Sequence, residues 1–369
     1  MRIERIEVYQ LDLPYSGGVY HLSGGRTYEV FDATFVRMVT DTGIEGWGES
    51  TPFGGTYIAA HALGARAGIA EIAPHLIGQD PRSVDRINDL MDAVLVGHNH
   101  AKTPLDVACW DIFGKSVGLP VCQLLGGSTG TIMPVISSIH SGEPEEMRQR
   151  VADHRARGYL GHSIKIGASD PALDAERIRA CLADRQPGEF FQADANGGML
   201  VEQVLRLLHL LPNGVDIVLE APCASWRETQ SLRQRCSVPI MMDELAQQDE
   251  DIAQIIAQDM ADGIGLKVSK AGGLTRGRRQ RDMCRAAGLT MSVQDTVGST
   301  VAFAALAHLG QTVPAQNLRC ILDCRDMVAV TTARFDAPIS NGGVLVADQP
   351  GLGIEVDCEL MGNPVQTFT

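Results

Sequence analysis

Five charged residues recur at regular intervals through the middle of the chain, each after a short apolar run. They are Lys165, Asp194, Glu220, Asp243 and Lys267, and the steps between them are 29, 26, 23 and 24 residues. A step of this length fits one strand and one crossover helix, so each residue lies at or just beyond the C-terminal end of a different predicted strand. Because the C-terminal ends of parallel barrel strands converge on one face, the spacing predicts that three acids and two lysines share a pocket.

Three carboxylates in one pocket repel one another unless a positive charge lies among them. An all-oxygen set suits a hard cation, and Mg²⁺ typically keeps positions open for water or substrate. Asp194, Glu220 and Asp243 are therefore predicted to bind Mg²⁺. The alternative is that each acid ends its strand as an ordinary N-cap for the next helix.

The two lysines fit an acid–base role on either side of the acids. A single lysine at a strand end is usually a solvated charge, but apolar neighbours should hold Lys165 and Lys267 in the barrel mouth. Near a divalent cation and a second ammonium, a lysine loses some preference for its charged form and can act as a general base. Two such bases would remove a proton from one face of a substrate and return it on the other. The cation would stabilise the enediolate that forms when a proton α to a carboxylate is removed.

The elements that must position these residues alternate between strand-like and helical patterns from about residue 131. Eight apolar runs of strand length follow in series: PVISSI, HSIKI, EFFQAD, DIVLE, PIMMDE, GIGLKV, LTMSV and LRCIL. This alternation predicts an α/β fold, a (β/α)₈-type barrel over residues 126–330. An open doubly wound sheet is the alternative, but no G-x-G-x-x-G motif follows any strand.

The first third of the chain has a different pattern and predicts an α+β unit over residues 1–125. Apolar residues at alternating positions near residues 3–8 and 35–38 predict antiparallel strands, and three helical patterns follow around residues 59–77, 83–95 and 103–117. Residues 331–369 are rich in glycine and proline, and we expect this segment to fold back on the first domain.

Composition limits the classes of partner. The net charge is −14, which argues against nucleic acid and against an anionic membrane surface, because both require a basic face. No segment has the roughly 18 consecutive apolar residues of a membrane helix. Nine cysteines without a C-x-x-C pair indicate reduced thiols. We therefore expect a cytoplasmic protein that binds a small molecule.

Several motifs along the whole chain resemble those of the enolase superfamily, specifically its mandelate racemase/muconate-lactonizing-enzyme-like branch. They are WGE at 47–49, LDVACWDIFGKSVGLPVCQLLGG at 105–127, ADANGG around Asp194, MMDE around Asp243, LKVSKAGGLT around Lys267 and the closing PGLGIE. The resemblance implies a modified barrel with a capping domain built from the N-terminal part and the tail. It also implies Mg²⁺ on Asp194, Glu220 and Asp243, Lys165 and Lys267 as the acid–base pair, and a homo-oligomer.

One position departs from the pattern of this branch. The branch usually carries K-x-K at the second barrel strand, whereas this chain has Ser163-Ile164-Lys165. The first lysine, which would support the charge of the second, is replaced by a hydroxyl. This change leaves the metal chemistry intact and opens space beside the substrate.

Stretches near residues 54–78 and 97–102 look similar to epimerases and dehydratases of hydroxyproline and proline-betaine compounds. The resemblance places capping loops over the substrate, so His21 and Tyr57 are predicted to contact its distal end. Asp323-x-Arg325 is half of the D-x-D with which dipeptide epimerases hold an ammonium, and no tryptophan for a betaine cage lies nearby. Asp323 is therefore predicted to pair with a secondary ammonium, or else to cap a turn, and Asp295 to bind the substrate nitrogen or orient Lys267.

Together these features predict an amino- or imino-acid substrate and Mg²⁺-dependent removal of its α-proton. The preferred hypothesis is a dehydratase of a cyclic imino acid of the cis-3-hydroxy-L-proline type, because Ser163 could accommodate or protonate a departing hydroxyl. The alternatives are 2-epimerisation or racemisation of a proline derivative, an N-acylated amino acid or a dipeptide, and a non-catalytic carboxylate-binding relative.

Overall fold

The computed structural model describes residues 1–369. Its N-terminal strands are β1 (Ile3–Pro14), β2 (Tyr20–His21), β3 (Thr27–Tyr28), β4 (Val30–Thr40) and β5 (Glu45–Ser50). β1 pairs antiparallel with β4 and β4 with β5, while β2 and β3 form a separate small hairpin. Alternate residues such as Ile6, Val8, Val36 and Met38 are buried on one face of the sheet, as the period-two pattern predicts.

Four helices follow the sheet: α1 (Ala62–Leu76), α2 (Val84–Val94), α3 (Asn99–Val117) and α4 (Val121–Leu124). The helices α1 and α3 pack on the sheet, whereas α2 packs on α1 and α3, and α4 packs on α3. The helix α3 is buried along most of its length because it lies between β5 and the second domain. Gly46 and Gly48 permit this close approach, since a Cβ at either would overlap the carbonyl oxygen of Ala108 or Pro104. These elements make up the cap.

The middle of the chain forms a closed barrel of eight parallel strands: β6 (Met133–Ile139), β7 (Gly161–Lys165), β8 (Phe190–Asp194), β9 (Val218–Glu220), β10 (Ile240–Met242), β11 (Gly263–Lys267), β12 (Thr290–Gln294) and β13 (Leu318–Leu322). Neighbouring strands pair in chain order, and β13 pairs with β6 to close the ring. All eight apolar runs are strands of this barrel, so the predicted α/β barrel with an α+β cap is confirmed.

The outer ring contains α5 (Pro144–Ala156), α6 (Pro171–Leu182), α7 (Val201–Leu210), α8 (Trp226–Arg233), α9 (Asp249–Ala257), α10 (Val268–Ala271), α11 (Leu274–Ala287) and α12 (Thr300–Gly310). One helical connection follows each of the first seven strands. After β13, however, the chain makes only a 3₁₀ turn at Cys324–Met327. The barrel therefore has seven strand–helix units and a final bare strand.

The last part of the chain adds β14 (Ala333–Phe335), β15 (Gly343–Val344), β16 (Ile354–Val356), α13 (Cys358–Met361) and β17 (Gln366–Phe368). β17 pairs with β1 and becomes the fourth strand of the cap sheet. β15 pairs antiparallel with barrel strand β6, so this segment contacts both domains. The predicted domain limits at residues 125 and 330 stay predictions. No helix of the structure combines the length and hydropathy of a membrane span.

Buried cap carboxylates fix the cap on the barrel mouth. Glu49 of the WGE motif accepts hydrogen bonds from the backbone N–H groups of Ser299 (2.8 Å) and Ala302 (3.0 Å), at the start of α12. Asp106 in α3 accepts the N–H of Thr275 in α11 at 3.0 Å. A carboxylate at a helix N-terminus is favoured by both the free N–H groups and the helix dipole, so these contacts set the position of the cap over the site.

His308 in α12 gives a prediction for stability. Its Nδ1 accepts from the N–H of Cys122 and its Nε2 donates to the carbonyl of Leu352, both at 3.1 Å, so the ring is neutral. Burial lowers the pKa of His308 to about 4. A histidine whose pKa is lower in the folded state than in the unfolded state destabilises the fold as pH falls from the unfolded pKa towards the folded pKa. Glutamine has one acceptor and one donor for the same two hydrogen bonds but does not titrate. Between pH 7 and 4 we expect the unfolding free energy of wild type to fall by on the order of 3 kcal/mol more than that of His308→Gln.

Urea denaturation at the two pH values measures this difference. Gln at the exposed His75 is the matched control and should leave the pH dependence unchanged. Equal pH dependence in wild type and His308→Gln would contradict the assignment of a neutral buried ring.

Candidate active site

The barrel mouth brings together all five charged residues that the spacing selected. Lys165, Asp194, Glu220 and Lys267 are the last residues of β7, β8, β9 and β11, and Asp243 directly follows β10. Lys165 is in register with Asp194, and Asp194 with Glu220. All five side chains are buried beneath the cap. The predicted convergence of three acids and two lysines is present in the fold.

Glu220 occupies the centre of the acidic row and has no direct cationic partner. Gln192 donates its side-chain amide to Oε2 and Gln294 donates to Oε1 at 3.0 Å. Burial, together with the nearby Asp194 and Asp243 carboxylates, raises the pKa of Glu220 to about 8. When ionised, a buried carboxyl group between two carboxylates carries uncompensated negative charge, and a bound cation would favour that ionised form.

The two outer carboxylates are turned towards ammonium groups. Asp194 pairs with Lys165 and also accepts the N–H of Asn196 at 2.9 Å. Asp243 lies 2.5 Å from the Nζ of Lys267, and Lys270 donates to it at 2.7 Å. No three Asp, Glu, His or Cys side chains are already clustered at metal-binding distance. The three carboxylates nevertheless lie on adjacent strands, and Glu220 between them has no cationic partner. This all-oxygen donor set fits a hard divalent cation.

The same ion pairs set the charge of the lysines. Burial lowers the pKa of Lys165, but Asp194, Tyr20 and Glu220 together outweigh it, and the net pKa is raised. Asp243, Glu244 and Glu220 together raise the pKa of Lys267 in the same way. The sequence predicts that each lysine loses some preference for its charged form beside a cation. In this structure Asp194 and Asp243 face the lysines instead of a cation, and these ion pairs favour the protonated form of both lysines.

Lys165 and Lys267 occupy opposite walls of the barrel. They stand on β7 and β11, four strands apart in a ring of eight, with the three acids on the strands between them. A flat substrate centred over the acids would have one ammonium or amine on each face. This arrangement permits proton removal and return on opposite faces.

The residues predicted to contact substrate divide into two groups. Ser163, Asp295 and Tyr57 line a cavity of about 30 Å³ at the barrel mouth, together with Lys165 and Lys267. Burial raises the pKa of Asp295 to about 6, although Ser269 and the N–H of Thr296 donate hydrogen bonds to it.

His21 and Asp323 do not line this cavity. The side chain of His21 is exposed and packs 5.7 Å from the ring of His140, beside a surface depression. Asp323 accepts two 2.8 Å hydrogen bonds from Arg325 and one of 3.2 Å from Tyr159. The carboxylate of Asp323 is thus engaged inside its own turn, which agrees with the alternative of a structural acid, and both substrate roles stay predictions.

Tyr57 lines both the small cavity and a larger one of about 450 Å³, as do Lys267 and Thr296. The hydroxyl of Tyr57 accepts a hydrogen bond from the Nζ of Lys267 at 3.0 Å. The larger cavity lies between the cap segments 57–65 and 96–101 and the barrel residues Asp243 and Glu244. A ligand-sized space therefore adjoins the lysine.

Sequence reasoning missed several residues of the site. Gln192 lies two residues before Asp194, as Ser163 does before Lys165, and the period of two along a strand places each pair on one face of the barrel. That rule would have found Gln192. Tyr20 reaches the cavity from the glycine-rich cap loop, where no periodicity marks inward-facing side chains.

Comparisons with known proteins agree with this geometry. Residues 24–126 match the family model of the mandelate racemase/muconate lactonizing enzyme N-terminal domain, and residues 146–360 match the enolase C-terminal domain-like family. The chain is 37% identical to cis-3-hydroxy-L-proline dehydratase of Roseibium aggregatum over 100% of both chains. It is 27% identical to N-succinyl-L-Arg/Lys racemase of Bacillus cereus, covering 97% of this chain and 96% of the relative.

A crystal structure of a mandelate racemase/muconate lactonizing enzyme-type protein from Roseovarius nubinhibens, complexed with magnesium, superposes with a TM-score of 0.98 at 56% identity, and 100% of both chains is covered. The family models cover most of the chain, and the relatives include a dehydratase, a racemase and an epimerase. The chain is therefore an enzyme of the enolase superfamily and belongs to its muconate-lactonizing-enzyme-like branch.

Proposed function

We propose that this enzyme removes the proton α to the carboxylate of a small amino or imino acid, with Lys165 and Lys267 as the acid–base pair. The observation that carries the proposal is the placement of these lysines on opposite walls of the barrel, with three buried carboxylates between them. Asp194, Glu220 and Asp243 would hold Mg²⁺, which would stabilise negative charge on the substrate carboxylate when the α-proton leaves.

The preferred substrate is a cyclic imino acid of the cis-3-hydroxy-L-proline type, and the preferred outcome is loss of water. The full-length similarity to a dehydratase of that name supports this choice. Ser163 supports it as well, because a serine on the cavity wall leaves space that a lysine would fill. Asp295 lines the same cavity and would face the ring nitrogen, where a carboxylate favours a secondary ammonium.

Incubation of the purified enzyme with cis-3-hydroxy-L-proline and Mg²⁺ in D₂O, followed by NMR, tests the proposal. We expect deuterium at the α-carbon of recovered substrate and formation of the dehydrated cyclic imine carboxylate. Exchange with inversion but no dehydration would favour an epimerase. The absence of both exchange and product would contradict the proposed chemistry for this substrate class.

Racemisation of N-acylated amino acids is the second candidate. The cavity of about 450 Å³ beside Tyr57 favours it, because this space could hold a long acyl or side-chain group next to Lys267. Deuterium exchange across a panel of N-succinyl amino acids decides between the two. Faster exchange in that panel than in the imino acid would establish the second candidate. A non-catalytic role has no support, since both lysines are in place.

The proposed partner of the enzyme is a small-molecule carboxylate, in keeping with the relatives. Nine free cysteines support a cytoplasmic location, and the expected assembly is a homo-oligomer.

A further inference from the structure

A phenol from the cap reaches the catalytic cavity. Tyr20 in β2 has no exposed surface, and its hydroxyl lies 2.7 Å from the Oγ of Ser138 on barrel strand β6. Its ring packs edge-on against Tyr15 and Phe53, with centroids 5.2 and 5.3 Å away. The position of the hydroxyl is therefore fixed by packing on the cap side and by a hydrogen bond on the barrel side.

The hydroxyl lies on the Lys165 side of the cavity. Its partner Ser138 is on β6, the strand next to β7 that carries Lys165, whereas Lys267 is on β11 in the opposite wall. Ser138 on β6 is in register with Ser163 on β7, and both line the cavity with Tyr20. Three neutral hydroxyl groups thus form one wall next to Lys165, and Lys267 faces them from the opposite wall.

The stereochemistry of the proposed substrate places its leaving group next to this wall. In a cis-3-hydroxy imino acid the hydroxyl and the carboxylate share one face of the ring, so the α-hydrogen is on the other face. If Lys267 removes the α-hydrogen, the 3-hydroxyl points to the wall of Tyr20, Ser138 and Ser163. A departing hydroxide needs a proton at that place, and Tyr20 is the most acidic of the three hydroxyl groups by type. Burial raises the pKa of Tyr20, which keeps the phenol protonated until it is needed.

We propose that Tyr20 is the catalytic acid that protonates the leaving 3-hydroxyl, with Ser138 as its positioning residue, and that it thereby directs the reaction to dehydration instead of epimerisation. This inference rests on the proposed function. When Asp243 holds the cation in place of the Lys267 ammonium, Lys267 would be a neutral amine. This amine takes the α-proton, and the electrons of the broken C–H bond form the C2–C3 double bond as the C3–O bond breaks. The leaving oxygen takes the phenolic proton and departs as water. The phenolate then takes a proton from the ammonium of Lys165, and proton exchange with solvent restores both lysines.

Without the phenol, Lys165 still stands on the face opposite Lys267 and can return a proton to C2. The product is then the 2-epimer, and no water is lost. The expected signature of Tyr20 is therefore a change in product ratio, which a purely structural residue would not produce.

The experiment compares Tyr20→Phe with wild type on cis-3-hydroxy-L-proline and Mg²⁺ in D₂O. We expect the dehydration rate to fall by about 10²-fold or more, in line with loss of a general acid, while α-deuterium exchange continues and the 2-epimer accumulates. Ser138→Ala should shift the ratio in the same direction by a smaller factor. Tyr9→Phe is the matched control, because the Tyr9 hydroxyl donates to Glu7 at 2.8 Å in the cap, away from the cavity.

Four outcomes overturn the inference, and they are distinguishable. If wild type neither exchanges deuterium nor dehydrates the substrate, the proposed function fails and the inference with it. Dehydration at the wild-type rate in Tyr20→Phe overturns the inference alone, as does an equal loss of exchange and dehydration in a folded variant. If Tyr20→Phe does not fold, Ser138→Ala decides by the same ratio, and an unchanged ratio there overturns the inference.

Discussion

Replacing Lys267 with methionine is expected to lower α-proton exchange by roughly 10³- to 10⁴-fold, the loss that follows removal of a general base. Lys267 provides the amine on the β11 side of the cavity, and its Nζ lies 3.0 Å from the hydroxyl of Tyr57. The fold should tolerate the change because Asp243 keeps its second ammonium partner, Lys270, which also donates to the Asp243 carbonyl at 2.6 Å. Methionine keeps the apolar stem of the side chain and removes only the charge.

NMR of recovered substrate in D₂O with Mg²⁺ measures the effect. Lys115→Met is the control, since Lys115 pairs with Asp111 at 2.8 Å within the cap. Lys165→Met should behave differently from Lys267→Met: exchange on the Lys267 face continues, but inversion is lost. Wild-type exchange rates in Lys267→Met would refute the assignment of the base.

Glu220→Gln is expected to abolish Mg²⁺-dependent turnover and, at the same time, to stabilise the metal-free protein at alkaline pH. The glutamine removes the central charge of the acidic row. It can also keep hydrogen bonds to Gln192 and Gln294. The amide oxygen of Gln192 has no partner, so a 180° flip of that amide lets the oxygen accept the new N–H of residue 220. The gain in stability and the loss of metal binding have the same origin, which is the repulsion among three buried carboxylates.

The sign of the pH dependence follows from the pKa of Glu220, about 8 in the fold against a reference of 4.5. A carboxyl group whose folded pKa is raised contributes stability below its unfolded pKa, and that contribution is lost as pH rises through the folded pKa. Metal-free wild type should therefore lose on the order of 4 kcal/mol of unfolding free energy between pH 5 and 9 that the variant keeps.

Urea denaturation in the presence of a chelator, at both pH values, measures this difference. Addition of Mg²⁺ should raise the melting temperature of wild type but not of Glu220→Gln, because ligand binding stabilises only a fold that binds it. Glu71→Gln, on the exposed side of α1, should match wild type in every respect. A magnesium-induced rise of equal size in Glu220→Gln would rule out the acidic row as the cation site.

The barrel and its rim could be predicted because two simple constraints act together. A parallel strand buried on both faces must be a continuous apolar run, and a charge at its C-terminal end has only the barrel mouth to enter. Lys165 and Asp194 satisfy both constraints, so their convergence follows from spacing. Side chains alternate between the two faces of a strand, so Ser163, two residues before Lys165, also faces inward.

Residues in loops and turns could not be placed in this way. A half-matched motif predicts that Asp323 binds the substrate ammonium. In the structure, however, Arg325 two residues later forms an ion pair with the Asp323 carboxylate. His21 and Tyr20 are adjacent in a two-residue strand, and only the hairpin geometry decides that the phenol points inward and the imidazole outward. The missing helix after β13 is similarly a property of the C-terminal segment, which occupies that side of the barrel with its own short strands.

The pairing of β17 with β1 has a consequence for synthesis on the ribosome. β1 ends at residue 14, but one of its two neighbours in the sheet lies at 366–368 and is therefore made much later. At about 5–20 residues per second, translation of the intervening chain takes on the order of 20–70 s. During that interval one edge of β1 has no partner, and an unpaired edge invites association with other chains. We therefore expect nascent-chain chaperones that bind extended segments to engage β1 until β17 emerges.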